Sequence, residues 1–291
     1  MDKFPYFEGW YVKHQADGKM IAFIPAVHAG ITGEWEASIQ VITEEGSWCV
    51  PYPVSECRID KKNFRIKMGE NLFSKKGIRI NIKSKELSIQ GQISYGPFTR
   101  LKKDIMGPFR LLPFLECYHG VLSMRHRAEG TLTVNGTKIE MKNGLGYIET
   151  DWGHSFPKEY VWTQCLLTGR QEGSIMLSAA DVPLWGRSFF GTISAAYIGG
   201  HMYRMATYLG ARILHYSESE VHVKQGKMHL KVTKLGERSY GLYAPQKGSM
   251  CRVIRESPVC RVRYQMWNGQ ERILDVTDNG ASFESVRAQR T

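Results

Sequence analysis

No two cysteines of this 291-residue chain stand at C-x-x-C spacing, and no Cys/His group has the spacing of a zinc finger. The six, Cys49, Cys57, Cys117, Cys165, Cys251 and Cys260, read as reduced thiols, and no metal site is expected. The opening residues, MDKFPYFEGW, contain no apolar h-region, so no signal peptide is read and a cytoplasmic location is expected. No apolar run reaches the roughly 18 residues of a spanning helix. Helical period is nearly absent and no βαβ alternation occurs, which excludes a doubly wound parallel sheet. RNP-like, helix-turn-helix and zinc-finger patterns are also missing. Nucleic acid is therefore not an expected partner, although the formal net charge is +11. The positive residues are dispersed, with local concentrations at Lys61–Lys62, Lys75–Lys76 and Lys102–Lys103 in expected turns. Most of that charge reads as solvated surface, with peripheral contact to an anionic membrane as a secondary expectation.

What is present is a pattern of period two. The 29 glycines and 11 prolines are spread along the chain, as many short strands joined by tight turns require. Glu220–Thr233 predicts a hairpin turning at Gln225–Gly226, with His222 opposite His229 and with Val221, Val223, Met228 and Leu230 on the core face. A metal on that histidine pair lacks further ligands. Asn135–Gly136 and Asn268–Gly269 mark two more hairpins. Further strands are predicted at Phe7–Lys13, Met20–Val27, Glu36–Ile42, Phe64–Met68, Ile78–Lys83, Leu87–Tyr95, Val121–Arg125, Val161–Leu167, Ile175–Ala180, Met202–Leu209 and Val259–Trp267. Single turns of helix are predicted near Phe156–Tyr160 and near the C-terminus. So many short antiparallel strands manage their edges best by closing. The expected fold class is all-β: two lipocalin-like antiparallel β-barrels or curved sheets in tandem, with very little helix. The boundary is placed between an N-terminal domain, 1–156, and a C-terminal domain, 157–291, where Pro157 breaks the chain. Gly107–Pro113 is a rival boundary.

The chemistry concentrates in GYIETDWGHSFPKEYVWTQ, Gly146–Gln164. On a strand, Tyr147, Glu149 and Asp151 share one side, and Ile148, Thr150 and Trp152 the other. Carboxylates two residues apart on one face lie roughly 6–7 Å from each other. Enclosed, such a pair favours a protonated carboxyl that can act as an acid. The plain alternative is a solvated acidic face with Trp152 in the core. A glycosidase would also use paired carboxyls, but its acids usually come from separated segments. Near the N-terminus, YFEGWYVK sets Tyr6, Glu8 and Trp10 on one face. In the middle, PFLECYHGVLSMRH sets Glu116, Tyr118 and His119 beside apolar residues. The three acidic-aromatic segments are expected to converge on one cavity.

These segments, YFEGWYVK, ECYHGVLSM and GYIETDWGHSFPKEYVWTQ, together resemble the tocopherol cyclase family, in order along most of the chain. The family is similar in fold to the two-domain lipocalin-like proteins that include carotenoid hydratases. The plant members carry a transit peptide and insertions that do not appear here. The resemblance implies an acid-catalysed ring closure. An acid protonates a prenyl double bond and the neighbouring phenol oxygen captures the tertiary cation, with no cofactor. On the matching positions, Asp151 is the expected acid and Glu149 its alternate. Trp152, Tyr160 and Trp162 are expected pocket aromatics, and His154 and Gln164 are expected to orient the phenol. Glu8, Trp10, Tyr118, His119 and Tyr147 complete the expected binding set. The expected partner is a lipophilic small molecule. A non-catalytic carrier of such a molecule and an isoprenoid hydratase are the alternatives.

Overall fold

The computed structural model describes residues 4–168, 171–184, 187–236 and 240–287. Among these there is no α-helix, and hence none long and apolar enough to cross a membrane. The chain divides into two compact units. The first comprises Met1–Arg100, Val121–His154 and Pro245–Cys251; the second comprises Leu101–Gly120, Ser155–Ala244 and Arg252–Thr291. Each is built on one antiparallel, nearly closed barrel-like sheet.

The first sheet is formed by β1 (Tyr6–Ala16), β2 (Lys19–Ala29), β3 (Trp35–Thr43), β4 (Ser47–Tyr52), β5 (Cys57–Asp60), β6 (Arg65–Met68), β7 (Asn71–Ser74), β8 (Gly77–Lys83), β9 (Ser88–Tyr95), β10 (Cys117–Val134) and β11 (Thr137–Gly153). Their order is β4-β3-β2-β1-β11-β10-β9-β8-β7-β6-β5. The two end strands, β4 and β5, are joined through a single 3-10 turn, Val54–Glu56, so the twist of the sheet carries its edges round toward each other. Trp10, Val12, Phe23, Val41, Ile80 and Ile148 belong to its apolar core. Strands β6 and β8 alternate between buried and open positions, as one-sided strands must. By contrast, β1, β2 and β3 are buried along nearly their whole length on both faces. A fully buried strand requires partners for every polar side chain on its second face.

The second sheet contains β12 (Tyr160–Leu167), β13 (Gly173–Leu184), β14 (Arg187–Ile198), β15 (His201–Ala206), β16 (Arg212–Tyr216), β17 (Glu220–Gln225), β18 (Met228–Gly236), β19 (Tyr240–Gln246), β20 (Ser249–Asn268) and β21 (Glu271–Val286). Its order is β15-β14-β13-β12-β21-β20-β18-β17-β16, with β19 paired to β20. Val161, Cys165, Ile175, Val221, Leu230 and Phe283 lie in its core.

Three local expectations are corrected. The hairpin β17–β18 turns one residue later than predicted: Gln225 pairs with Met228 and His222 with Lys231. Gly226 has φ 58°. Placing it at the first central position satisfies the left-handed requirement with glycine, whereas the predicted turn would force Gln225 there. The alternation is unchanged, so Val221, Val223, Leu230 and Val232 are buried together. His222 and His229 meet diagonally, with their ring nitrogens 3.0 Å apart. Next, no helix forms at 156–159; the chain bends there and Tyr160 opens β12. The predicted strand Met202–Leu209 ends at Ala206, followed by a 3-10 turn, Thr207–Leu209. At the C-terminus β21 runs to Val286, and residues beyond 287 lie outside the described ones.

Candidate active site

The register of β1 against β11 sorts the predicted residues. Gly9 faces Asp151, Tyr11 faces Glu149 and Lys13 faces Tyr147. Directly opposed residues of an antiparallel pair point to the same side. One face therefore carries Tyr11, Lys13, Tyr147, Glu149 and Asp151. The other carries Glu8, Trp10, Val12, Ile148, Thr150 and Trp152, and it is this face that meets the apolar core through Trp10, Val12 and Ile148.

The carboxylate face thus turns away from the core of its own unit, and yet it is buried. Tyr147 and Lys13 have no exposed surface, Glu149 keeps 3% and Tyr11 7%; Asp151 is half-buried. Tyr147 Oη donates to Glu149 Oε2 at 2.5 Å. Burial, with the neighbouring Glu149 charge and hydrogen bond, holds the Tyr147 phenol well above its usual pKa, so it remains a neutral donor. On the same side of β2, the residues opposite Lys13 and Gly9 are Ala22 and Ala26, both small. The arrangement holds two carboxyls, two phenols and one amine on a single water-poor surface.

Lys13 is the residue that the sequence reading passed over. It lies inside YFEGWYVK, where parity was applied to Tyr6, Glu8 and Trp10, and a terminal lysine of a strand reads as solvated. The signal was available: Lys13 shares parity with Tyr11, and a basic side chain on the same strand face as the buried Glu149 is the kind of group that offsets a buried carboxylate.

Within the first acidic-aromatic segment the strand register divides the residues: Tyr11 and Lys13 share the carboxylate face, and the expected Glu8 and Trp10 do not. Glu8 lies on the core side at the mouth of the first barrel. There it pairs with Lys61 and accepts from Tyr6 Oη at 2.8 Å. Burial pushes the Tyr6 phenol up to about 12, partly offset by its bond to Lys61. These residues line a cavity of about 250 Å³ together with Val27, Trp35, Val54, Cys57 and Ile59. Trp10 is core, and Trp152 stands opposite Glu8 on that same side. His154 follows β11 at a bend, where its carbonyl accepts from Gly248 N at 2.8 Å. Tyr118, near the start of β10, donates its hydroxyl to the Leu112 carbonyl, a local structural tie. His119, next along β10, is buried.

In the second unit, Tyr160, Trp162 and Gln164 share the face of β12 that turns away from Val161 and Cys165 of the core. Trp162 faces Glu284 and Gln164 faces Ser282 across the β12–β21 pairing. Tyr160 Oη donates to Glu284 Oε1, and that carboxylate is 6% exposed. Glu284 escaped the sequence reading because no strand was predicted around it. Gln164 is fully buried, and among the described residues neither its amide nitrogen nor its oxygen has a hydrogen-bond partner. A buried amide left so is costly unless something else pairs with it.

Two lipocalin-like antiparallel β units, each with one tyrosine–carboxylate pair buried on the face turned from its own core, define the class of fold. The chain belongs to the tocopherol cyclase-like family, whose model matches residues 73–285. A rice (Oryza sativa subsp. japonica) protein named "Probable tocopherol cyclase, chloroplastic" is 27% identical over 95 residues, covering 33% of this chain and 20% of that protein. The maize (Zea mays) "Tocopherol cyclase, chloroplastic" is 26% identical over 100 residues, covering 34% and 18%. The matched stretch thus spans about a fifth of these relatives. Among solved structures, CghA with Sch210972 is similar at a TM-score of 0.62 and 11% identity, over 99% of this chain and 90% of that one. Kievitone hydratase from Nectria haematococca is similar at 0.51 and 10%, over 99% and 90%. At these identities the likeness is one of fold.

Proposed function

We propose that this protein is an acid catalyst of the tocopherol cyclase kind, closing a chroman-type ring on a prenylated hydroquinone or a similar lipophilic substrate. The observation that carries the reading is the buried Tyr147–Glu149 pair with Asp151 and Lys13 on the same strand face. Glu149 already accepts the Tyr147 hydroxyl, which holds it as an acceptor. Asp151, the less buried of the two carboxyls, is the one that a substrate can reach. Its carboxyl delivers the proton to the less substituted carbon of the prenyl double bond. The tertiary cation that forms is sheltered from water and faces the rings of Tyr11 and Tyr147. The phenol oxygen of the substrate then closes on the cation, and its proton returns to the carboxylate. Atoms balance within one molecule, so the step is an isomerisation that needs no oxidant.

The test is to incubate the protein with a prenylated hydroquinone and look for the chromanol, with Asp151→Asn as the control. Chromanol formation that the substitution abolishes supports the reading. Tight binding without turnover overturns it in favour of a carrier, and a tertiary alcohol as product overturns it in favour of hydration.

A further inference from the structure

A second carboxylate site lies in the first unit, on the opposite side of β1–β11 from Asp151. Glu8 and Val27 stand opposite each other across β1–β2, and both are buried. Glu8 accepts from Tyr6 Oη at 2.8 Å and pairs with the Lys61 ammonium.

That ion pair is lopsided. The Glu8 side chain is 6% exposed and the Lys61 side chain 60%. Lys61 reaches the carboxylate from the turn after β5, and Asn63 holds the backbone of that turn. Its amide N donates to Asp60 Oδ1 at 3.1 Å and its Nδ2 to Asp60 Oδ2 at 2.7 Å. Only the lysine side chain has to swing aside to vacate Glu8. The Lys61 ammonium stands 5.3 Å from the centroid of the Tyr6 ring and donates to Tyr6 Oη at 2.9 Å. The Tyr6 and Trp35 rings are tilted by 56° with centroids 5.7 Å apart. A carboxylate bordered by aromatic rings is an arrangement that recognises an ammonium group, and the resident Lys61 shows that this chemistry fits. A lysine that served only as a plug would fill the mouth. Instead a cavity of about 250 Å³ stays open beside it, walled by Val27, Trp35, Val54 and Ile59. It falls just below the roughly 300 Å³ at which drug-sized pockets begin, which leaves room for a head group and a short apolar chain. Phe4 and Val54 are exposed and extend the apolar rim outward. An anionic ligand would meet the Glu8 charge, and an uncharged one would gain nothing from it.

We propose that the mouth of the first barrel binds an amphipathic primary amine: its ammonium replaces that of Lys61 on Glu8 and Tyr6, and its alkyl chain lies on Val27, Val54 and Ile59. The displaced Lys61 ammonium returns to water, and no covalent bond is made or broken. This stands independently of the reaction assigned to the carboxylate face.

The experiment is isothermal titration calorimetry of the full chain with n-octylamine, against octanoate and 1-octanol as probes of equal chain length. Octylamine is expected to bind, and the other two to bind at least about tenfold more weakly. Glu8→Gln should weaken octylamine by about tenfold or more. Lys61→Met should tighten it by about threefold or more, because the resident cation no longer competes. The same variant leaves a buried carboxylate short of a partner. Its unfolding temperature should therefore fall, and octylamine should raise it further than it raises that of the wild type. Failure of octylamine to bind either the wild type or Lys61→Met overturns the inference. So does equal binding of octylamine and octanol, which would leave an unselective apolar groove. Weaker octylamine binding by Lys61→Met also overturns it, since the lysine would then be part of the site rather than its occupant.

Discussion

Tyr147 donates its hydroxyl to Oε2 of Glu149, two residues along the same strand, and neither side chain is open to water. Removing the donor leaves a buried carboxyl short of one charge-assisted bond. Tyr147→Phe should therefore destabilise the protein by about 1.5–3 kcal/mol, read from urea unfolding. An unchanged midpoint would mean that the pair is not formed in solution.

Asp151 and Glu8 look to opposite sides of β1–β11, because Asp151 faces Gly9 and Glu8 faces Trp152. Asp151→Asn should lower turnover on a prenylated hydroquinone by about 100-fold or more. Glu8→Gln should leave kcat within about threefold of wild type, by the same principle that only a positioned acid contributes such factors. Equal losses in both variants would place Glu8 in the reaction and remove the parity argument.

Lys13 lies fully buried, one pair along from Tyr11 and Glu149. Lys13→Met should cost about 3–5 kcal/mol, since it leaves the carboxyl face uncompensated. Adding Glu149→Gln should restore at least about 1 kcal/mol of that loss. Strictly additive effects in the double-mutant cycle would show that the two groups do not share one electrostatic site.

The unpaired amide of Gln164 separates function from folding. If it waits for a ligand, Gln164→Leu should leave stability unchanged or raise it by about 1–2 kcal/mol. The same variant should weaken substrate binding, measured as a rise in KM. A clear drop in unfolding midpoint would show that the amide serves the fold instead.

His14 and His126, both buried in the first unit, have pKa values lowered to about 3 from 6.5, chiefly by burial. His14 Nε2 lies 2.6 Å from Tyr95 Oη and His126 Nδ1 lies 3.0 Å from Ser123 Oγ. Below pH 6.5 the unfolded chain takes up protons that the folded rings refuse until about pH 3. Their contribution is therefore complete above pH 6.5 and falls as pH drops through this window. The slope should be roughly 1.4 kcal/mol per pH unit for each ring. His14→Gln should flatten the acid side of the stability profile; a variant as steep as wild type would contradict the burial argument.

The sequence by itself determined the class of fold and the side on which each residue of β11 stands. Period two in 146–152 sets Tyr147, Glu149 and Asp151 together whatever lies around them, because successive side chains of a strand must alternate. It also set the hydrophobic faces of β17 and β18 correctly despite a turn misplaced by one residue, since the alternation survives that error. The tertiary structure alone decided which of two opposite faces meets the core. Trp10 and Ile148 went inward, and the carboxylate face was buried on the other side of the same sheet. In a strand buried on both faces, hydrophobicity no longer marks the inside, so alternation cannot say which way either face looks. Lys13 and Glu284 acquired their significance only from strand pairing, because the partners that offset a buried charge come from distant segments that no local pattern brings together.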